Sequence, residues 1–459
     1  MRVPDLDPDH VDPLAKLLVD DEEVPDFEAA AEALRRYRVQ VVVGEDVCRD
    51  PAWQAALLTM VNAGVRALPG EVIVVMESDP VVEEVPLALG RRLSESLGAY
   101  GARFARAPSP FVPTIVIGDV DDGMVGRAVY PFAGRWSAGV STRALAPGGP
   151  VSVLAAVFAG ALAVSEVFQH WRGYPVAMER DVRVSLWAPG GDPMTEGPPI
   201  TQLPSEIWLL GLGHLGQAYS WLLGLLPYAP EGRRPLVLQD DDRLSVANRA
   251  TAMLHTSEGV GERKTRGVAR VLEPLGWDTR LVERRYEGGR LCGTGEPALL
   301  LAGVDNAGTR RAFDDAGFEA VFDAGLGAGA DSYLDMSIRR LPASRPPAEF
   351  FPDPGPMARE RRAAAYDRLE QETRDQCGVE LLAGRAVGTA FVGVTAACWV
   401  IGGVLRELHG GPRIELVGHS LRDPAEVVVV PGPAVGGVIR VPTSTIRGSG
   451  SGLARASST

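Results

Sequence analysis

Lysine is almost absent from this sequence. Of 46 basic residues only Lys16 and Lys264 are lysines. A lysine in such a background marks a place where a compact ammonium serves better than a planar guanidinium. Cysteine is scarce too. Cys48, Cys292, Cys377 and Cys398 are scattered, with no C-x-x-C pair. That argues against a structural zinc site or a disulfide framework and reads as free thiols in a reducing cytoplasm. Positive charge is also short. The formal net charge of −13 argues against nucleic acid or an anionic membrane as the main partner. The acidic N-terminal stretch MRVPDLDPDH has no apolar run of the secretory kind. The uncharged run at residues 386–405 is long enough to span a bilayer. Its glycines and threonines favour a buried core helix.

At 459 residues, 46% of them hydrophobic, the chain suits two or three domains with sizeable cores. Residues 1–35 read as an acidic, partly helical lead-in. Short apolar runs at 40–44, 71–76 and 113–119 read as buried strands alternating with helices, hence an α/β domain over 36–187. Residues 188–204, rich in Pro and Gly, form a linker. A second α/β alternation occupies 205–435, and the Ser/Gly-rich residues 436–459 read as a disordered tail. The apolar helices expected at 155–175 and 391–412 both end in a Gly-x-Pro stop. They hint that the two α/β regions are duplicates.

The chemistry lies in the second region. A strand runs into Gly211-x-Gly213-x-x-Gly216 and then an apolar helix. This spacing lets a backbone turn tightly and approach phosphates at a helix N-terminus. Alone it fits any dinucleotide fold. The next strand ends in Asp240-Asp241-Asp242, followed by Asn248 and Arg249. Lys264 opens a later helix, and Asp305-Asn306 follows a further strand. An acid after the second strand suits a ribose, a lysine at a helix start suits phosphate oxygens, and an acid after the fourth strand suits Mg2+. An NAD(P)-dependent oxidoreductase would use the glycines and Asp240 but not Lys264 with Asp305.

Together these positions resemble the ThiF/MoeB/HesA family, within the superfamily of ubiquitin-activating enzymes. Its pattern is G-x-G-x-x-G, D-x-D, an Asn six residues on, a Lys sixteen beyond, and a D-N pair. Asp240-x-Asp242, Asn248, Lys264 and Asp305-Asn306 meet it. The resemblance covers 205–330 strongly and 377–412 loosely. It implies a Rossmann-like, ThiF-type adenylation domain preceded by a second, degenerate α/β domain. It also implies ATP and Mg2+ as cofactors. Asp240 would hold the ribose, Asn248 and Lys264 the phosphates, and Asp305 the metal. Gly211, Gly213, Gly216, Asp242, Arg249 and Asn306 would complete the ATP site.

Two departures stand out. The family's Arg three residues after the Asn is Thr251 here, with Arg249 either its substitute or a surface residue. Cys377 is the one cysteine placed for thioester chemistry, and simple packing would also explain it. The implied activity is ATP-dependent adenylation of a carboxylate at the end of a ubiquitin-like protein, a sulfur carrier or a peptide. A catalytically dead scaffold of the same fold is the other reading. The implied assembly is a homodimer or an internal pseudo-dimer.

Overall fold

The computed structural model describes residues 11–447 apart from 121–125, 147, 289–294, 314–315, 352–362 and 434–438. Cys292 and residues 352–362 lie outside them. The lead-in holds α1 (Pro13–Asp20) and α2 (Phe27–Leu34), each capped at its first turn by an aspartate, Asp12 and Asp26. The first unit then runs β1 (Arg38–Val43), α3 (Pro51–Ala67), β2 (Glu71–Met76), α4 (Leu93–Tyr100), β3 (Arg103–Ala105), β4 (Thr114–Ile117), β5 (Ala128–Ala133), β6 (Ser137–Ser141), α5 (Val153–Trp171) and β7 (Val182–Ser185).

After β8 (Gln202–Pro204), the second unit runs β9 (Ile207–Leu210), α6 (His214–Leu225), β10 (Arg234–Gln239), α7 (Lys264–Leu272), β11 (Trp277–Val282), β12 (Leu299–Ala302), α8 (Ala307–Arg311) and β13 (Ala320–Leu326). It continues through β14 (Asp335–Leu341), α9 (Pro347–Phe350), α10 (Ala364–Thr373), α11 (Gln376–Ala383), α12 (Ala390–Leu408), β15 (Ile414–Ser420), β16 (Val427–Pro431) and β17 (Thr443–Thr445).

The two sheets repeat one order. The first is β3-β2-β1-β4-β5-β6-β7 and the second β11-β10-β9-β12-β13-β14-β15-β16. In each, five parallel strands are followed by antiparallel ones. Their parallel strands read as apolar runs, such as VVV in β1 and LLLA in β12, because both faces are covered. The long helices α5 and α12 occupy the same place in the two orders, between β6 and β7 and between β14 and β15. The likeness of residues 155–175 to 391–412 is thus a structural one.

Both helices are apolar and long enough to cross a membrane, yet 89% and 94% of their apolar windows are buried inside the fold. They pack on each other through aromatic rings, one pair edge-on and one tilted. Phe158 meets Trp399 at 5.6 Å and Phe168 meets Phe391 at 5.3 Å, each pair adding about 0.5–1.5 kcal/mol beyond its buried area. Trp221 of α6 donates to Thr59 Oγ of α3 at 3.0 Å. One apolar core therefore runs through both units.

The expected disordered tail needs correction. Strand β17 lies within it and pairs antiparallel with β8, at the end of the expected linker. Ile439 and Val441 are buried, and this burial holds the segment against the second unit.

Candidate nucleotide site

The site lies at the C-terminal ends of β10, β9 and β12, which are neighbours in the sheet. Chain order runs outward from β9 in both directions, so a crevice opens there of the kind that takes ligands in open α/β sheets. Gly211 adopts φ +81°, and a side chain on it would meet the Gly303 carbonyl at 2.7 Å. A side chain on Gly216 would overlap the Gly211 carbonyl. These glycines let the turn close against its neighbours. Gly213 differs: a Cβ there would meet nothing within 4 Å. It is the N-cap of α6 and offers no side-chain cap. The first-turn amides of a 12-residue helix are therefore left for an anion.

His214 faces away from that opening. Its Nε2 donates to the Thr389 carbonyl at 3.0 Å, at the start of α12. Burial lowers its pKa to about 4, so the ring is neutral and ties the loop to α12.

Asp240 shapes the loop from the next strand. Its two oxygens accept from Leu212 N at 2.6 Å and Asp242 N at 2.7 Å. Lys264 is the first residue of α7 and only 8% exposed. Its Nζ lies 2.8 Å from Asp242 Oδ2. Asn248 sits in the 3-10 turn Val246–Ala250. Its Oδ1 accepts from Ser245 N at 2.9 Å, which leaves the amide nitrogen as the end suited to an anion. Arg249 is exposed beside it.

Beyond β12, Asp305 and Asn306 are exposed. Asn306 Oδ1 caps α8 through Gly308 N and Thr309 N at 2.8 and 3.2 Å. Its immediate role is thus to hold the turn that carries Asp305. The carboxylates of Asp240, Asp241 and Asp242 lie within 4.8 Å of one another, but each is already engaged, Asp241 by Arg285 at 3.0 Å. The Asp305 carboxylate makes no hydrogen bond among the described residues, and that donor chemistry fits a metal better than the triplet does.

Cys377 stands apart from this group. It is exposed in the first turn of α11, and no hydrogen bond among the described residues links it to the glycine loop or to Lys264.

Two features escaped the spacing argument. Asp323 of β13 is buried, and burial raises its pKa to about 7 despite Arg310 Nε at 3.1 Å and the nearby Arg339. An acid inside the apolar run AVFDAGL was its only local signal. The other is Arg66 of α3, whose partners are nearly two hundred residues away in sequence, with no local signal at all.

The family model described as "BilD N-terminal domain" matches residues 38–186, and "BilD C-terminal domain" matches residues 203–411. The bacterial E1-like protein BilD of Collimonas sp. (strain OK412) is 36% identical over 420 residues, covering 88% of this chain and 90% of that protein. Solved structures that resemble the fold include E. coli MccB with ATP, at 12% identity and TM-score 0.33 over 51% of this chain and 67% of that one. PaaA resembles it at 13% identity and TM-score 0.34, over 50% and 64%. With both domain models matched in order and that identity sustained along the curated relative, the chain belongs to the bacterial E1-like BilD family.

Proposed function

We propose that the second unit binds MgATP and adenylates a carboxylate at the C-terminus of a protein or peptide. The observation that carries this is the uncapped N-terminus of α6 at Gly213, facing an opening bordered by Asp240 and Lys264. The first-turn amides and Lys264 would hold phosphates. Asp240 would hold the ribose, with Asn248 and Arg249 along the phosphate tail. Mg2+ bound at Asp305 would supply charge neutralisation.

In the reaction a carboxylate oxygen forms a bond to the α-phosphorus of ATP. The bond from that phosphorus to the bridging oxygen breaks, and pyrophosphate leaves with the negative charge. The protein's work is alignment and fixed positive charge around the crevice. The E1-like name of the BilD relative supports a ubiquitin-like protein as the acyl donor, of the ThiF/MoeB kind of chemistry. The second step is transfer of the acyl group to the Cys377 thiolate, releasing AMP. Its exposure supports that role.

ATP–pyrophosphate exchange, driven by candidate proteins and peptides with free C-termini, tests the first step. Exchange is expected with wild type, and amidation of the acyl donor should abolish it. Cys377→Ala should keep exchange and lose any thiol-labile adduct. A wild-type protein that binds NAD tightly and gives no exchange with any donor would overturn the reading.

A further inference from the structure

Asn62 and Arg66 lie four residues apart on one face of α3, in the first unit. Asn62 Nδ2 donates to the Met253 carbonyl at 2.9 Å. Arg66 donates to the carbonyls of Arg249 at 2.8 Å, Met253 at 3.2 Å and His255 at 3.0 Å, and its Nε donates to Asn62 Oδ1 at 3.0 Å. No ion pair with Arg66 occurs among the described residues. Burial and the neighbouring Arg249 lower its pKa to about 10, which keeps it charged at neutral pH. A cation satisfied by three carbonyls of one loop fixes the path of that loop.

The loop connects onward in two directions. His255 Nε2 donates to the Ser245 carbonyl at 3.1 Å, and Ser245 N donates to Asn248 Oδ1 at 2.9 Å. Leu254 N donates to Gln217 Oε1 of α6 at 2.9 Å. The guanidinium is thus linked to Asn248 on one side and to the helix behind the glycine loop on the other.

We propose that Arg66 is a positioning residue through which the first unit sets the phosphate-side loop, residues 245–255, of the second unit's nucleotide site. The proposal rests on reading that site as one for ATP. The first unit then has a defined task in a reaction that occurs elsewhere, because it holds Asn248 and Arg249 where a phosphate tail arrives.

The test is calorimetric titration of wild type, Arg66→Ala and Arg66→Lys with ATP and with AMP. Circular dichroism serves as the folding control. Arg66→Ala should raise the Kd for ATP about tenfold while changing the Kd for AMP less than twofold, because AMP lacks the phosphates that this loop would meet. Arg66→Lys keeps the charge but can reach fewer carbonyls, so its Kd for ATP should fall between the other two. It carries the test if the alanine variant does not fold. Amide hydrogen exchange at 245–255 should quicken in both variants. An unchanged Kd for ATP overturns the proposal, and so does an equal loss for ATP and AMP. Wild type that binds neither nucleotide overturns the ATP reading itself.

Discussion

The two units share a sheet order but treat the same loop in opposite ways. Val43 pairs with Met76 and Ile117 in the first sheet, as Leu210 pairs with Gln239 and Ala302 in the second. Gly44 therefore matches Gly211, and Gly118 matches Gly303. Past those glycines the loops diverge. In the second unit only Leu212 and Gly213 separate Gly211 from α6. In the first, six residues with the 3-10 turn Val47–Arg49 precede α3. The Asp46 carboxylate sits against both Gly44 and Gly118 and accepts from Asp119 N at 2.9 Å. Asp50 caps α3 through Ala52 N and Trp53 N at 2.8 and 3.1 Å. Where the second unit leaves amides open, the first fills them with its own carboxylates.

The acidic strand tip differs in the same sense. An isolated bridge joins Arg243 to Arg263 in the second unit and Val81 to Arg92 in the first. Next to each bridge, Lys264 N donates to the Asp242 carbonyl and Leu93 N to the Pro80 carbonyl. The Lys264–Asp242 ion pair thus has Leu93 and Pro80 as its counterparts. One copy of the fold keeps polar groups at its crevice, and the other has traded them for caps and apolar packing. This is the physical content of calling the first unit degenerate.

Transplanting the cap should break the difference most sharply. Gly213→Asp has room for its side chain and would put a carboxylate on the α6 amides, as Asp50 does on α3. ATP affinity should fall by at least about a hundredfold, through like-charge repulsion and loss of the donors. Stability should hold or rise by a few tenths of a kcal/mol, since aspartate caps slightly better than glycine. Titration with ATP alongside a thermal melt checks both. Unaltered ATP binding would remove the α6 N-terminus from the site.

Next in size is Lys264→Leu, which copies Leu93 into the second unit. Pyrophosphate exchange should drop by about 10²–10³, the range for losing one fixed charge at a developing anion. The buried site accommodates the apolar chain, so the fold should persist. Retained exchange would mean that the ammonium serves only Asp242.

A third contrast concerns pH. His214 ties the working loop to α12, and the first unit has no histidine in its loop. The folded pKa of about 4 lies below the unfolded value near 6.5. The stability of the neutral ring is therefore complete above pH 6.5 and is lost as pH falls toward 4, by about 3 kcal/mol at most. Buried His419, also near 4, acts in the same direction. His214→Gln should flatten part of the fall in Tm across that window. An identical pH profile would place the His214 ring in water.

Much of this was legible in the sequence because it is local. Gly211, Gly213, Gly216, Asp240, Asn248, Lys264 and Asp305 are fixed by spacing along single strand–turn–helix units. A β-strand period or a glycine turn shows itself within a few residues. The rest depends on partners distant in the chain. The Arg66 clamp, the β17–β8 ribbon and the antiparallel strands that close both sheets have no short-range pattern. Asn306 was legible as a motif residue but not as the cap of α8, since the same D-N pair serves either purpose until its hydrogen bonds are known. The duplication was visible only in α5 and α12, where burial on all sides keeps both sequences apolar. The loops between had already diverged.

The smallest effect tests the first unit's side of the comparison. Asp50→Ala removes the carboxylate from Ala52 N and Trp53 N and should cost about 1 kcal/mol. In a chain of this size the melting temperature should fall by only a degree or two. ATP affinity should not change, because α3 has its N-terminus on the other sheet and Arg66 lies in its last turn, beyond the reach of a frayed first turn. Nor should the variant create a second nucleotide site. Asp46 would still occupy the space between Gly44 and Gly118, and Leu93 and Pro80 would still stand where a phosphate needs a cation. A second ATP equivalent bound by Asp50→Ala would show that the cap alone had closed the first unit, and that the other replacements at its crevice are incidental.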